Sequence, residues 1–381
     1  MRASWAEGAV SMALEKLVKP HILEISPYKP GKPVEELERE LGISGAIKMA
    51  SNENPHGPSP RAVAAMRAAL DDVNRYPDGS GFELRARLAE EFAVAPTQLS
   101  FGCGADEILE LLAKSFLGPG DECVYAWPSF AMYPVVAKGM GATAVTVPLD
   151  GDLVHDLPAM AAALTERTKM LIVCNPNNPT GTSFGSAAFD AFVDSLPRDL
   201  ILVVDEVYWD FARRPDFPNT LAWLERRPGT ISLRSFSKLY GLAGLRIGYG
   251  ISDVELAGIL DRARHPFNVS RLAEVAALAA LDDTEHVRRT LTENARGAEY
   301  LARELASLGI ETWPTDTNFL LARTGAGTYE KLLPEGVIVR PLAGFGLAEH
   351  VRISIGTAEE NERLVKALRK LCEGKLGGNS S

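Results

Sequence analysis

From about residue 97 to residue 283, short apolar runs alternate with amphipathic stretches. Chains with this alternation fold as a mostly parallel sheet covered by crossover helices, in the α/β class. QLSFG (98–102) leads into ADEILELLAKSF (105–116), and ECVYA (122–126) precedes PSFAMYPVVAKGMG (128–141). MLIVCNP (170–176) and LILVVDEVY (200–208) are continuous apolar runs that end in polar residues. Such runs fit strands buried on both faces, whose carboxyl ends open onto a ligand crevice. The polar residues at 174–181 and 205–208 are therefore expected on one rim.

After residue 284 the pattern changes. A charged amphipathic helix (285–309) is followed by strand-like ETWPTDTNFLLAR (311–323), GVIVRP (336–341) and HVRISIG (350–356), and then by a last helix from Ala358. This predicts a smaller α+β domain over 285–381 and a large domain over 46–284. Residues 1–45, with the turn cluster PYKPGKP, form an arm expected to pack on the small domain. The terminal GKLGGNSS (374–381) has the composition of an unstructured tail.

The chain has 381 residues, with 40 basic and 50 acidic side chains and a formal charge of -10. That balance argues against nonspecific attraction to nucleic acid or an anionic membrane, so an anionic ligand must meet a local cluster of cations. Glu7, Glu15, Lys16, Lys19 and Glu24 interrupt every early apolar stretch, which predicts neither a signal peptide nor a membrane span and points to the cytoplasm. Met12 is an alternative start. Cys103, Cys123, Cys174 and Cys372 lack paired metal-ligand spacing and read as incidental thiols, so no metal is expected.

The chemistry concentrates in a few segments. SFSKLYGLAGLR (235–246) sets Lys238 beside Ser235 and Ser237, eight residues ahead of Arg246. A lysine condenses with a carbonyl cofactor, while hydroxyls and a guanidinium suit its phosphate, which makes pyridoxal phosphate the candidate. A lone lysine after a strand is more often a solvated surface residue; the companions decide. FGCGADEIL (101–109) puts Gly104, Ala105 and Asp106 at a strand-to-helix turn whose free N–H groups can hold a phosphate, or which is simply a tight turn. NPNNPTG (175–181) places Asn178 before Pro179, a setting for a cis bond and a rigidly aimed amide, or for an ordinary Asn-Pro turn. Asp205 ends a buried strand and needs a partner, such as a protonated pyridine nitrogen or a structural salt bridge.

Ordered as GADE, PSFAMY, NPNNPTG, DEVY, SFSK and GLAGLRIGY, these segments resemble fold-type-I pyridoxal-phosphate aminotransferases of class II, specifically the histidinol-phosphate aminotransferase family. YKPGKP, SNENPHGPSP, RYPDG, RHPFNVS and VRISIGT extend the resemblance from about residue 22 to residue 370. It implies a large domain built on a mostly parallel seven-stranded sheet, and a homodimer with sites at the interface. It assigns Lys238 the covalent link to the cofactor, Asp205 the ring nitrogen, and Asn178 with Tyr208 the phenolic oxygen. Phe130 would stack on the ring, and many relatives carry tyrosine there. Ala105, Asp106, Ser235, Ser237 and Arg246 would surround the phosphate, with Tyr76 reaching in from a second subunit. Arg352 would grip a substrate carboxylate, and Arg340 with Tyr28 and Asn54 would face the substrate side chain. Pro341 and the following AGFGLAEH (343–350) depart from the aspartate that many relatives have after this arginine.

The implied reaction moves an amino group between L-histidinol phosphate and 2-oxoglutarate, giving imidazole-acetol phosphate and L-glutamate, a step of histidine biosynthesis. An aromatic amino-acid aminotransferase is the nearest alternative. A decarboxylase of phosphorylated amino acids and a cofactor-binding regulator without turnover lie further off.

Overall fold

The computed structural model of the protein describes residues 12–27 and 30–377. The central sheet contains β2 (Leu99–Gly102), β3 (Glu122–Trp127), β4 (Thr143–Pro148), β5 (Thr168–Cys174), β6 (Ile201–Asp205), β7 (Thr230–Ser235) and β8 (Gly248–Ser252), in the order β2-β8-β7-β6-β5-β3-β4. Only β8 runs against its neighbours. Successive side chains of a strand point to opposite faces. Met170, Ile172 and Cys174 accordingly join a core with the helices Ala105–Phe116, Met132–Gly139 and Val254–Ala263. Leu171 and Val173 join the core on the opposite side with the helix Ser186–Ser195. Burial on both faces is what the unbroken apolar runs require, and it leaves the strand ends as the place for polar chemistry.

A second sheet of five strands has the order β1-β11-β12-β10-β9, with β1 (Ile47–Met49), β9 (Glu311–Thr312), β10 (Phe319–Arg323), β11 (Val337–Pro341) and β12 (His350–Ser354). The long helix Thr284–Ser307 and the last helix Ala358–Gly377 pack on it through Leu301, Leu305, Leu364 and Leu368.

Three details differ from the sequence reading. A boundary at residue 46 gives Ile47–Met49 to the large domain, but β1 pairs in parallel with β11 and is an edge of the smaller sheet. The arm is also divided. Leu37 of the helix Val34–Leu41 packs on Ile338 of the smaller sheet, whereas His21 lies against Gly141, after the large body's helix Met132–Gly139. Finally, the last helix continues through Gly377, into the segment expected to be an unstructured tail; its final four residues lie outside the described part.

Candidate active site

All parallel strands of the central sheet end at one edge. Cys174 of β5 and Asp205 of β6 are register partners there, and Ser235 of β7 pairs with Gly248 at the start of β8. The loops that follow converge on a cavity of about 190 Å³ lined by Ala105, Asp106, Phe130, Asn178, Asp205, Tyr208, Ser235, Ser237, Lys238, Arg246, Arg340 and Arg352. Twelve of the expected residues thus meet in one place, contributed by both sheets. The expected common rim for 174–181 and 205–208 is present.

One wall suits a phosphate. The helix Ala105–Phe116 starts at Gly104, whose φ is +79°, and its first N–H groups face the cavity end where Ala105 and Asp106 sit. A Cβ on Gly104 would lie 2.3 Å from Arg246 Nη2, so only glycine lets this guanidinium lie along the turn. Arg246 in turn donates to Asp106 Oδ2 at 3.1 Å and itself adopts a left-handed backbone, φ +56°. The Ser235 hydroxyl accepts from the Ser237 N–H at 3.0 Å, fixing the turn that carries both serines toward Lys238.

At the floor, Asp205 is buried and burial pushes its carboxyl up to about 6. Tyr133 donates to Asp205 Oδ2 at 2.7 Å and the Val207 N–H donates to Oδ1 at 3.2 Å. Lys238 Nζ lies 3.5 Å from the Ser51 carbonyl; burial first, and then the nearby Arg352 charge, lower its ammonium to about 8. Burial raises the Tyr208 hydroxyl to about 12, and Asn52 Nδ2 donates to that oxygen at 2.9 Å. Arg352 donates through Nη1 to Asn178 Oδ1 and through Nη2 to the Ala50 carbonyl at 2.6 Å. The Asn178–Pro179 bond is cis, as are Asn175–Pro176 and Trp127–Pro128. Asn177 stiffens this loop, accepting from Ser129 Oγ at 2.7 Å and donating to Thr180 Oγ1 at 2.9 Å.

Two expected residues stand apart. Asn54 does not line this cavity but a small neighbouring pocket that Lys238 also borders: its amide donates to the Leu239 carbonyl at 2.8 Å and to Thr290, and its oxygen accepts from the His56 N–H at 2.9 Å. Its side chain ties loops together, and Asn52 takes the place at the cavity wall. Tyr76 is 80% exposed and stacks on Phe267 with ring centroids 4.7 Å apart, outside this chain's own cavity. Tyr28 lies outside the described residues. The sequence reading missed Asn52 and Tyr133. For Tyr133 a signal existed, since it follows Phe130 by three residues in PSFAMY and lies in the first turn of the helix Met132–Gly139; their rings meet edge to face at 5.7 Å. The AGFGLAEH segment reaches the large body, where Phe345 stacks on Trp127 at 5.5 Å.

Residues 44–368 match the family model of aminotransferases of class I and II. The chain belongs to this aminotransferase family. It is 47% identical over 354 residues to a histidinol-phosphate aminotransferase of Moorella thermoacetica, covering 92% of each chain. Histidinol-phosphate aminotransferase 2 of Pseudomonas fluorescens is 45% identical over 360 residues, covering 93% of this chain and 97% of the relative. Among solved structures, the histidinol-phosphate aminotransferase of Sinorhizobium meliloti in complex with pyridoxal-5'-phosphate superposes with a TM-score of 0.87 at 28% identity, over 97% of this chain and 99% of the other. The aminotransferase fold accounts for the cavity at the strand ends: a lysine, a buried carboxylate and a helix N-terminus with an arginine are the donor set a pyridine aldehyde with a phosphate needs.

Proposed function

We propose that this aminotransferase transfers the amino group between L-histidinol phosphate and 2-oxoglutarate, with pyridoxal phosphate as cofactor. The observation that carries the reading is the pair Arg340 and Arg352, opposed on β11 and β12 at the cavity that also holds Lys238 and Asp205. L-Histidinol phosphate has a phosphate and no α-carboxylate, whereas glutamate has two carboxylates. Two guanidinium groups at one cavity serve both partners through paired, charge-assisted hydrogen bonds.

The chain's own residues fit the cofactor. Ala105, Ser235, Ser237 and Arg246 would hold its phosphate, Phe130 would lie against its ring, and Asn178 with Tyr208 would hold the ring oxygen. When bound, the cofactor supplies an aldehyde that carries the amino group and a cationic ring that withdraws electrons from the substrate α-carbon. Asp205, buried and anionic, keeps the ring nitrogen protonated. Lys238 Nζ, half deprotonated near pH 8, is matched to take the α-hydrogen and return it at the next step. Arg352 holds the glutamate α-carboxylate and Arg340 the distal anion.

The reading extends to a homodimer of cytoplasmic enzyme. Tyr76, Phe82, Val73, Leu70 and Phe267 are large apolar or aromatic side chains left exposed, which supports a covering partner and Tyr76 as a residue delivered to the neighbour's phosphate. No described helix is long and apolar enough to cross a membrane. The domain division fits residues 34–49 and 285 onward as the body carrying both arginines, and 50–284 as the body carrying Lys238. Incubating the purified protein and its cofactor with glutamate, and then with imidazole-acetol phosphate, tests the transfer. Absorbance that falls with the first and returns with the second, with histidinol phosphate formed, supports it; carbon dioxide release or no change rejects it.

A further inference from the structure

Tyr133 is fully buried on the helix Met132–Gly139. Its ring packs against Tyr125, at 5.8 Å, and edge to face with Phe130, at 5.7 Å, and its hydroxyl reaches Asp205 Oδ2 at 2.7 Å. Several other groups near this carboxylate disfavour its charge. Asp106, from the helix Ala105–Phe116, and the adjacent Glu206 are both anionic and raise its protonation, and Cys174 across the ladder is a buried thiol pushed well above its ordinary range. The cations Lys238 and Arg246 line the same cavity. The two hydrogen bonds that favour the carboxylate come from the Val207 N–H and the Tyr133 hydroxyl.

We infer that Tyr133 is a positioning residue that keeps Asp205 ionised and aimed at the cofactor's ring nitrogen. This rests on the assignment of Asp205 to that nitrogen. One side chain therefore couples the two surfaces the ring would meet, because Tyr133 packs edge to face with the Phe130 ring and supports the Asp205 carboxylate with its hydroxyl. A hydrogen bond to a buried charge is stronger than a neutral one, and losing it favours the neutral acid. With the Tyr133 and Val207 hydrogen bonds in place, burial already holds the Asp205 carboxyl near 6, so losing the tyrosine donor moves protonation toward neutral pH.

The test reads cofactor binding to the cofactor-free protein as a function of pH, without amino donor. Tyr133→Phe keeps the ring packing, checked by circular dichroism and thermal midpoint. It should weaken affinity for pyridoxal phosphate about ten- to a hundredfold and move the low-pH edge of binding upward. In an Asp205→Asn background the same change should have little further effect, since the double-mutant cycle isolates an action through Asp205. Should the phenylalanine variant not fold, 3-fluorotyrosine at position 133, a stronger donor, should move the edge downward. Native affinity with an unshifted edge, or equal losses in both backgrounds, would overturn the inference. A protein that passes this test and yet prefers another amino donor would contradict only the substrate reading above.

Discussion

Arg340 and Arg352 are direct cross-strand partners on β11 and β12, so two guanidinium groups leave the same face of the small sheet. Like charges placed opposite each other disfavour a sheet, and the arrangement is stabilised when an anion lies between them. The pair is not symmetric. Arg352 is buried, anchored to Asn178 and the Ala50 carbonyl, whereas Arg340 is half-buried and borders Pro341 and the loop carrying Phe345.

That asymmetry predicts a split in substrate effects. If Arg340 pairs with the phosphate of histidinol phosphate in a closed, poorly hydrated site, Arg340→Ala should cost about 3–5 kcal/mol, or roughly two to three and a half decades in kcat/KM. Phenylalanine has no side-chain anion and should lose much less. Arg352→Ala should instead harm glutamate and phenylalanine through their carboxylates. Equal losses of kcat/KM for histidinol phosphate and phenylalanine on changing Arg340 would contradict this division.

The Lys238 amine should titrate near 8 instead of its ordinary 10.5. Only the neutral amine is nucleophilic, so labelling of Lys238 in the cofactor-free protein should rise through pH 8, as followed by mass spectrometry of the labelled peptide. Burial and the Arg352 charge both disfavour the ammonium form; Arg352→Gln removes the second and should shift the midpoint upward. A midpoint near 10 in the native protein would refute the burial argument.

Gly104→Ala forces a side chain into the space of Arg246 Nη2 at a left-handed backbone position, where a non-glycine residue costs about 1–2 kcal/mol before any clash. Affinity for pyridoxal phosphate should fall more than affinity for pyridoxal, which lacks the phosphate. Calorimetric titration with both compounds would show the difference, and parallel losses would place Gly104 outside the phosphate site.

Tyr76 provides a test of the shared site. If its hydroxyl serves the neighbour, a Tyr76→Phe subunit paired with a Lys238→Ala subunit gives one site with both lesions and one with neither. The mixed dimer should keep about half the native activity if the two sites act independently, because the loss of a hydrogen bond to a charged group, about 1.5–3 kcal/mol, falls on the site already disabled. Activity no higher than that of the Tyr76→Phe homodimer would place the tyrosine in its own subunit's site.

The sheet and the residues that line the cavity at its edge were legible because each is written locally: unbroken apolar runs mark doubly buried strands, and Asp205, Asn178 and Lys238 stand at or just beyond their ends. What stayed hidden depends on direction in space. SNEN contains two asparagines, and composition does not say that Asn52, at φ 55°, turns to Tyr208 while Asn54 turns to Leu239. The pairing of Ile47–Met49 with β11 joins residues nearly three hundred positions apart, and a three-residue strand has no periodicity to reveal it. Tyr133 reads as a core aromatic until the helix is placed above Asp205. Tyr76 stands exposed beside Phe267, and local sequence does not say what such a surface faces.

The most direct measurement of the central claim is steady-state kcat/KM for histidinol phosphate, phenylalanine, tyrosine and aspartate as amino donors, with 2-oxoglutarate as acceptor and excess pyridoxal phosphate. The two opposed arginines predict that histidinol phosphate exceeds phenylalanine and tyrosine, which bring no side-chain anion, by at least about a hundredfold, the lower end of what one charge partner in a closed site contributes. A higher kcat/KM for phenylalanine or tyrosine would contradict the account and make the protein an aromatic amino-acid aminotransferase.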